Sequence, residues 1–206
     1  MRDRIVSELG DLPYGRFLVY VMGPYQAFDP DVLRETTDPE SVPASIDFGT
    51  LVDAEPEMDR DEAALDLLLE VRDSLRTDVG VNAFLAIDID VPLEEMDAAT
   101  QSVAFSKASN AVVYVVPRVG DNLGVGIEVG SVLEALFTDG PGDHRERVVF
   151  AHESGVRSAM IAAVRDRWDA RVVSYEDRDE LVERVQLFVR DIARKELRGD
   201  LGRLDE

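Results

Sequence analysis

The chain has 206 residues, of which 45% are apolar and 32% charged, and its formal net charge is −21. This length and apolar content suit one domain, residues 1–206, with a sizeable core, and they exclude a disordered acidic tail. The charge argues against nucleic acid and anionic membranes as partners, because both would be repelled, and no apolar run has the ~18 residues of a membrane-spanning helix.

The apolar pattern alternates between short β-rich runs and longer segments with helical spacing. Gly23-Pro24 ends the first run, and residues 26–60, rich in Asp, Pro, Glu, Thr and Ser, are predicted to be a loop-rich insertion. In chain order, the predicted elements are a strand at 17–22, the insertion, a helix at 61–76, a strand at 81–87, a helix at 97–109, a strand at 111–116, a helix at 127–137, a strand at 147–151, a helix from about 156 to 168, a strand at 171–174 and a helix at 179–197.

Continuous apolar strands that alternate with helices are typical of a parallel sheet covered on both faces. The sequence therefore predicts an α/β domain of the flavodoxin-like (Rossmann-like) class, with a doubly wound five-stranded parallel sheet and helices on both faces. Ligands of such folds lie beyond the carboxyl ends of the strands, where the strand order reverses. The candidate loops are those after Met22, Ile87 and Val116.

The types of charged residue and their distribution along the chain indicate the salt concentration in which the protein works. Two of the 22 bases are lysines, Lys107 and Lys195, and the acids are spread over the whole chain. In molar salt the Debye length falls to about 3 Å, so like charges scarcely repel each other. The sequence therefore predicts a halophilic surface rather than an acidic patch for a basic partner. The N-terminal residues do not resemble a signal peptide, so the expected location is the cytoplasm.

Two of the candidate loops contain glycines. Gly23-Pro24-Tyr25 follows the first strand, and Asp121-Asn-Leu-Gly-Val-Gly-Ile-Glu-Val-Gly130 follows the third. Gly124 and Gly126 allow backbone amides to approach a ligand at the positive end of the next helix. Glu128 falls in the first turn of that helix, where an acid can also serve merely to complement the helix dipole.

Other polar residues are weaker candidates for a site. Asp88 and Asp90 follow the second strand, where they either contact a ligand or mark a strand that extends into solvent. His152 lies at the carboxyl end of the fourth strand, where a site residue would lie. Neither His152 nor His144 has partners at metal-ligand spacing, and cysteine is absent, so no metal site, disulfide framework or thiol nucleophile is expected.

These motifs resemble the nucleoside 2-deoxyribosyltransferase family and the related 2′-deoxynucleoside 5′-monophosphate N-hydrolases. Tyr20-Val-Met-Gly-Pro-Tyr25 is similar to the family's strand that ends in Gly-Pro or Gly-Ser. Ser109-Asn-Ala-Val-Val-Tyr-Val-Val116, followed by Leu123-Gly-Val-Gly-Ile-Glu-Val-Gly130, is similar to its later strand, loop and helix.

The resemblance implies cleavage of an N-glycosidic bond with Glu128 as the carboxylate nucleophile. It also implies a homo-oligomer, for which the apolar side of the helix after Glu128 would be available unless it packs in the core. The partner would be a small-molecule nucleoside or nucleotide, and no cofactor is expected. The candidate substrate-binding residues are Gly23, Pro24, Tyr25, Asp88, Asn122, Gly124 and Gly126.

Three positions differ from the family pattern. Asn122, six residues before Glu128, stands where the transferases have an aspartate and the phosphate-binding hydrolases have a small hydroxyl residue. Asn110 stands where the family has an aspartate just before the third strand, and Ser102 stands where it has an acid in the preceding helix that assists protonation of the leaving base. Loss of a general acid typically removes about 10²- to 10⁴-fold of rate. The alternative is therefore a catalytically degenerate nucleotide-binding or regulatory module of the same fold, and whether the protein is an active enzyme stays open.

Overall fold

The computed structural model describes residues 1–9, 14–24, 57–92, 94–118, 132–135, 142–156, 166 and 170–204. The β-branched apolar runs form five strands: β1 Tyr14–Met22, β2 Val81–Phe84, β3 Ala111–Val116, β4 Val148–Glu153 and β5 Arg171–Tyr175. The named helices are α1 Arg2–Leu9, α2 Glu57–Ser74, α3 Ala98–Ala108 and α4 Arg178–Arg198. Three short turns complete these elements: a π-helical turn, Leu75–Val79, and two 3₁₀ turns, Ala86–Asp88 and Gly142–Arg147.

The strands form one sheet in the order β2-β1-β3-β4-β5, and every neighbouring pair is parallel. This confirms the predicted flavodoxin-like, doubly wound α/β fold with a five-stranded parallel sheet. Every residue of β2 and β3 is buried, which explains why β3 is a continuous rather than an alternating apolar run.

Alternate residues of a strand point to opposite faces of the sheet, so the apolar strands present side chains on both faces. Helices cover each face. On β1, Leu18, Tyr20 and Met22 pack in one cluster with residues of α1 and α3, which we call the α1–α3 face. Val19 and Val21 pack in the other cluster with residues of α2 and α4, which we call the α2–α4 face. The sheet therefore has a hydrophobic core on each of its two faces.

Most predicted elements are confirmed. The bounds of β3 are those predicted, and α3 fits inside its predicted range, with the Asp97 carboxylate accepting a hydrogen bond from the Thr100 N–H at 3.0 Å as its N-cap. In α4, Asp177 caps the start and Gly199, with φ of 77°, ends the helix.

Three predictions are corrected by the structure. The predicted loop is wrong at 57–60, because α2 begins at Glu57. The predicted second strand is too long, because a 3₁₀ turn at Ala86–Asp88 follows the end of β2 at Phe84. Helix α1 was not predicted, although its buried Ile5 contributes to the α1–α3 face.

Other predictions fall largely on residues that the structure does not describe. These are residues 26–56 of the insertion and most of the helices predicted at 127–137 and from about 156 to 168. Within those two ranges, 132–135 and 166 are described and helical, and 156 is described and not helical. Among the described helices, none combines the length and the apolar character that crossing a membrane requires.

Candidate active site at the carboxyl edge of the sheet

The strand order creates a topological switch point between β1 and β3. From β1 the chain passes to β2 on one side, and it returns to β3 on the other side of β1. The last paired residues of these strands are Met22 and Tyr114. In open α/β sheets, the segments that follow two such strands diverge and leave a crevice that binds ligands. The segments after Met22 and Val116 therefore flank the expected ligand crevice.

Gly23 and Pro24 directly follow β1, and both are buried. A Cβ atom at Gly23 would lie 2.8 Å from Leu68 Cδ2 and 3.1 Å from the Val115 carbonyl oxygen. Residue 23 therefore needs to be glycine if α2 is to pack this closely against the end of β1. The substrate-binding role of Gly23 and Pro24 stays a prediction, and Tyr25 lies outside the described residues.

Arg118 links the exit of β3 to the end of β4. Its backbone N–H donates to Glu153 Oε2 at 2.9 Å, and its guanidinium donates to the Ser154 carbonyl oxygen. Gly155 lies against this guanidinium with φ of 90°, so both the close approach and the left-handed backbone favour glycine there. These contacts fix the path of the chain as it leaves β3.

Helical residues 132–135 are the next described part of the chain. Val132 and Leu133 are buried in the cluster of the α1–α3 face. For these two residues the structure shows core packing, so they are not available to a partner subunit. The predicted nucleophile and three predicted substrate-binding residues lie outside the described residues: Glu128, Asn122, Gly124 and Gly126.

The ends of β4 and β5 contribute polar side chains to the same edge. His152 is half-buried and in register with Val116, and its Nδ1 lies 3.1 Å from the Glu153 carbonyl oxygen. Tyr175 is in register with Glu153. The Tyr175 hydroxyl is buried and has no hydrogen-bond partner among the described residues. Burial, and secondarily the negative charge of Glu153, raises the pKa of Tyr175 above its ordinary value.

Asp88 lies in the 3₁₀ turn that follows β2, the outermost strand of the sheet. Its carboxylate accepts hydrogen bonds from Arg72 Nη1 at 2.6 Å and from the Leu85 N–H at 2.9 Å, while Arg76 Nε donates to the Ala83 carbonyl oxygen at 2.7 Å. Arg76 thus binds a carbonyl oxygen of β2, the outermost strand, while Asp88 binds the N–H of Leu85, the residue after the end of β2. The expectation of a solvated strand end is wrong for Asp88, and its role in substrate binding stays a prediction.

Asn110 lies at the opposite, amino edge of the sheet. Its Oδ1 accepts from the Leu18 N–H and from Arg2 Nη2, both at 2.9 Å. Its Nδ2 donates to both carboxylate oxygens of Glu196, at 2.9 and 3.0 Å, and its carbonyl oxygen accepts from Arg147 Nη1. The four partners of Asn110 come from different parts of the chain: Arg2, Leu18, Arg147 and Glu196. Asn110 therefore joins β1, β3, α1 and α4, far along the strands from the carboxyl edge.

The sequence analysis did not identify Arg147 and Glu196, which form a buried ion pair within this network. A signal was present. Leu181, Val185, Phe188 and Ile192 form the apolar stripe of α4, and Glu196 follows Ile192 at the next four-residue interval. An acid in line with an apolar stripe predicts a buried carboxylate, which in turn predicts a buried cation as its partner.

Ser102 is buried on α3, the helix in which the resemblance leads us to expect an acid. The sequence of α3, AATQSVAFSKA, contains no carboxylate. In the described part of the chain, no cluster of three or more acidic or histidine side chains is suited to hold a metal ion. Any proton transfer at this edge thus requires a group outside α3.

The strand order defines a flavodoxin-like α/β protein, and its topological switch point beside Gly23 is the candidate ligand site. The chain belongs to the family described as "Domain of unknown function (DUF7509)", whose model matches residues 2–205. A comparison with curated proteins found no matching sequence.

Proposed function

We propose that the protein cleaves the N-glycosidic bond of a nucleoside or nucleotide, as a hydrolase or a deoxyribosyltransferase, with Glu128 as the nucleophile. One observation supports this most strongly. The switch point lies between β1 and β3, and the two segments that resemble the nucleoside 2-deoxyribosyltransferase family directly follow these two strands. The resemblance was noted from sequence motifs, whereas the switch point follows from the strand order, so the two are separate lines of support.

The chemistry suits a carboxylate at this position. Departure of the base gives the sugar oxocarbenium character, which a carboxylate stabilises and then captures as a covalent glycosyl-enzyme. Water or a second base releases the sugar and regenerates the carboxylate. In this proposal Gly23, Pro24 and Tyr25 line the base site. The amides of Gly124 and Gly126 bind the sugar or a phosphate. Asp88 and Asn122 are the remaining substrate-binding residues of the proposal.

A second candidate is a catalytically degenerate module that binds or senses a nucleotide. The observation that favours it is the absence of a carboxylate from α3, where Ser102 replaces the expected acid. Asn110 does not favour it, because Asn110 belongs to the network at the amino edge of the sheet. The two candidates differ in turnover, and both require a ligand in the crevice.

Release of free base tests the proposal. We would incubate the protein in molar KCl with a panel of nucleosides, deoxynucleotides and NAD, and compare wild type with Glu128→Gln. Glu134→Gln is the matched control, because Glu134 is an exposed acid in the helical segment 132–135. We expect release by wild type and by Glu134→Gln, and loss with Glu128→Gln. Ligand binding without release from any substrate, by calorimetry, would establish the second candidate instead.

We also propose that the protein works in the cytoplasm of a cell with high internal salt, on a small-molecule ligand and as a homo-oligomer. The 43 acids against two lysines support a surface adapted to salt. A melting curve against KCl tests this. The melting temperature should rise from low to molar KCl, and equal stability at both would contradict the proposal.

A further inference from the structure

We infer that His152 transfers protons at the candidate active site, donating one to the departing base and accepting one from the attacking water. This inference rests on the proposed function and adds to it a residue at the end of β4. The resemblance assigns no role to this residue.

The register of the sheet places His152 beside the crevice. It pairs with Val116, the last residue of β3, so it lies one strand away from the switch point at the same edge. Val148 and Phe150 of β4 pack on the α1–α3 face, and strand alternation places His152 on that face too. Val132 and Leu133, which follow Glu128 in the chain, pack there as well. His152 and the chain after the proposed nucleophile therefore share one side of the sheet.

The hydrogen bond of His152 orients its ring for proton transfer. A backbone carbonyl is an acceptor, so the 3.1 Å contact to the Glu153 oxygen assigns the hydrogen to Nδ1. In the neutral ring, Nε2 is then the basic atom. The same Nδ1 hydrogen bond holds the ring when Nε2 is protonated, so one orientation serves both the donor and the acceptor state.

Three of the acids that the structure describes at this edge are bound to other groups. Glu153 accepts from Arg118, Asp88 from Arg72, and Asp97 from Thr100. Tyr175 lies among the residues of the α2–α4 face, and its pKa is raised by burial. His152 has no such ionic partner among the described residues, and it is half-buried.

The proton balance closes over one catalytic cycle. In the first step the Glu128 carboxylate bonds to the anomeric carbon, the carbon–nitrogen bond breaks, and Nε2–H of the His152 imidazolium protonates the base as it leaves. In the second step Nε2 of neutral His152 takes a proton from water while the water oxygen attacks the anomeric carbon and displaces Glu128. The imidazolium and the free carboxylate are both restored.

The test compares two substrates that differ in their need for a proton. The base of 2′-deoxyguanosine 5′-monophosphate is protonated as it leaves, whereas the cationic base of its N7-methyl derivative departs neutral without a proton. We expect His152→Gln to lower kcat/KM about 10²- to 10⁴-fold on the first substrate and less than tenfold on the second. The control is His144→Gln, the same change at the chain's other histidine, in the 3₁₀ turn before β4 and so at the opposite edge. It should leave both rates unchanged.

The outcomes separate the inference from the proposed function. The proposed function stands if wild type and His144→Gln release base and Glu128→Gln releases none. The inference about His152 is overturned if, in the same experiment, a folded His152→Gln loses the same factor in kcat/KM on both substrates or loses none. If wild type releases base from neither of these substrates nor from any member of the panel of nucleosides, deoxynucleotides and NAD, both are overturned. Circular dichroism and a melting curve of His152→Gln establish that this variant is folded.

Discussion

Arg147 and Glu196 form an ion pair with side-chain exposures of 3% and 7%, between the residue before β4 and the last turn of α4. Asn110 donates to the same carboxylate, and Arg147 also donates to the Gly202 carbonyl oxygen. The pair thus connects the amino edge of the sheet to α4 and to the chain beyond it. This buried network lies at the edge of the sheet opposite to the one proposed to bind ligand.

The first prediction concerns this pair. Glu196→Gln keeps the shape of the side chain but leaves the Arg147 guanidinium buried without a counter-charge, so we expect a loss of about 3–5 kcal/mol in the free energy of unfolding. Urea unfolding in a fixed salt concentration measures it. Glu146→Gln is the control, because the Glu146–Lys195 pair is partly exposed and its loss should cost at most about 1 kcal/mol. Equal effects of the two substitutions would contradict the assigned role of the pair.

The second prediction concerns Asn110. Asn110→Asp removes the Nδ2 donor and sets a second carboxylate against Glu196, so we expect a loss of about 1–3 kcal/mol in unfolding free energy. Although the substitution introduces the aspartate of the resembling family, it should not increase base release. In the double variant Asn110→Asp/Glu196→Gln, the amide introduced at position 196 donates to the new carboxylate at position 110. The loss in unfolding free energy should therefore be smaller than the sum of the losses in the two single variants. A stabilised or more active Asn110→Asp protein would show that the network is misassigned.

The third prediction concerns the packing at Gly23. In Gly23→Ala the new methyl group meets Leu68 and the Val115 carbonyl, which should destabilise the protein by about 1–3 kcal/mol. Leu68→Val removes the clashing atom, so a double-mutant cycle should give a favourable coupling between the two substitutions. Chemical denaturation of the four proteins measures it, and strictly additive effects would argue against the close contact.

The fourth prediction concerns Tyr175 and alkaline pH. Its raised pKa means that the folded protein keeps this proton to a higher pH than the unfolded chain, whose tyrosines ionise near pH 10. The contribution of protonated Tyr175 to the free energy of unfolding is therefore complete below about pH 10. It is lost as the pH rises through the pKa that Tyr175 has in the folded protein. At pH 7 the unfolding free energy of Tyr175→Phe should lie within about 1 kcal/mol of wild type. Above pH 10 wild type should lose stability faster than the variant, and parallel pH curves would refute this.

Local patterns predicted the sheet well, because continuous apolar runs and the glycines and prolines that follow them are local signals. They predicted α3 closely for the same reason, since Asp97 is an N-cap in sequence as well as in structure. Helix α1 was missed because it is short, and its one fully buried residue, Ile5, gives no periodic pattern.

The roles of polar residues were harder to predict, because they depend on contacts between distant parts of the chain. Asn110 was compared with a family position, but its partners Leu18 and Glu196 lie 92 and 86 residues away in sequence. Asp88 was judged from its alternation with apolar residues, although its environment is set by Arg72 of α2. The pattern of apolar and polar residues within one segment cannot predict contacts between polar side chains that are distant in sequence.

The measurement that tests the central claim most directly is the search for a covalent glycosyl-enzyme. The protein would be incubated with a 2′-deoxy-2′-fluoro nucleoside, whose fluorine slows both steps by opposing positive charge on the sugar, and then analysed by mass spectrometry of the intact chain and its peptides. The account predicts a pentosyl adduct on the peptide that contains Glu128, and none in Glu128→Gln. An unmodified Glu128 during base release, or an adduct on another residue, would contradict it.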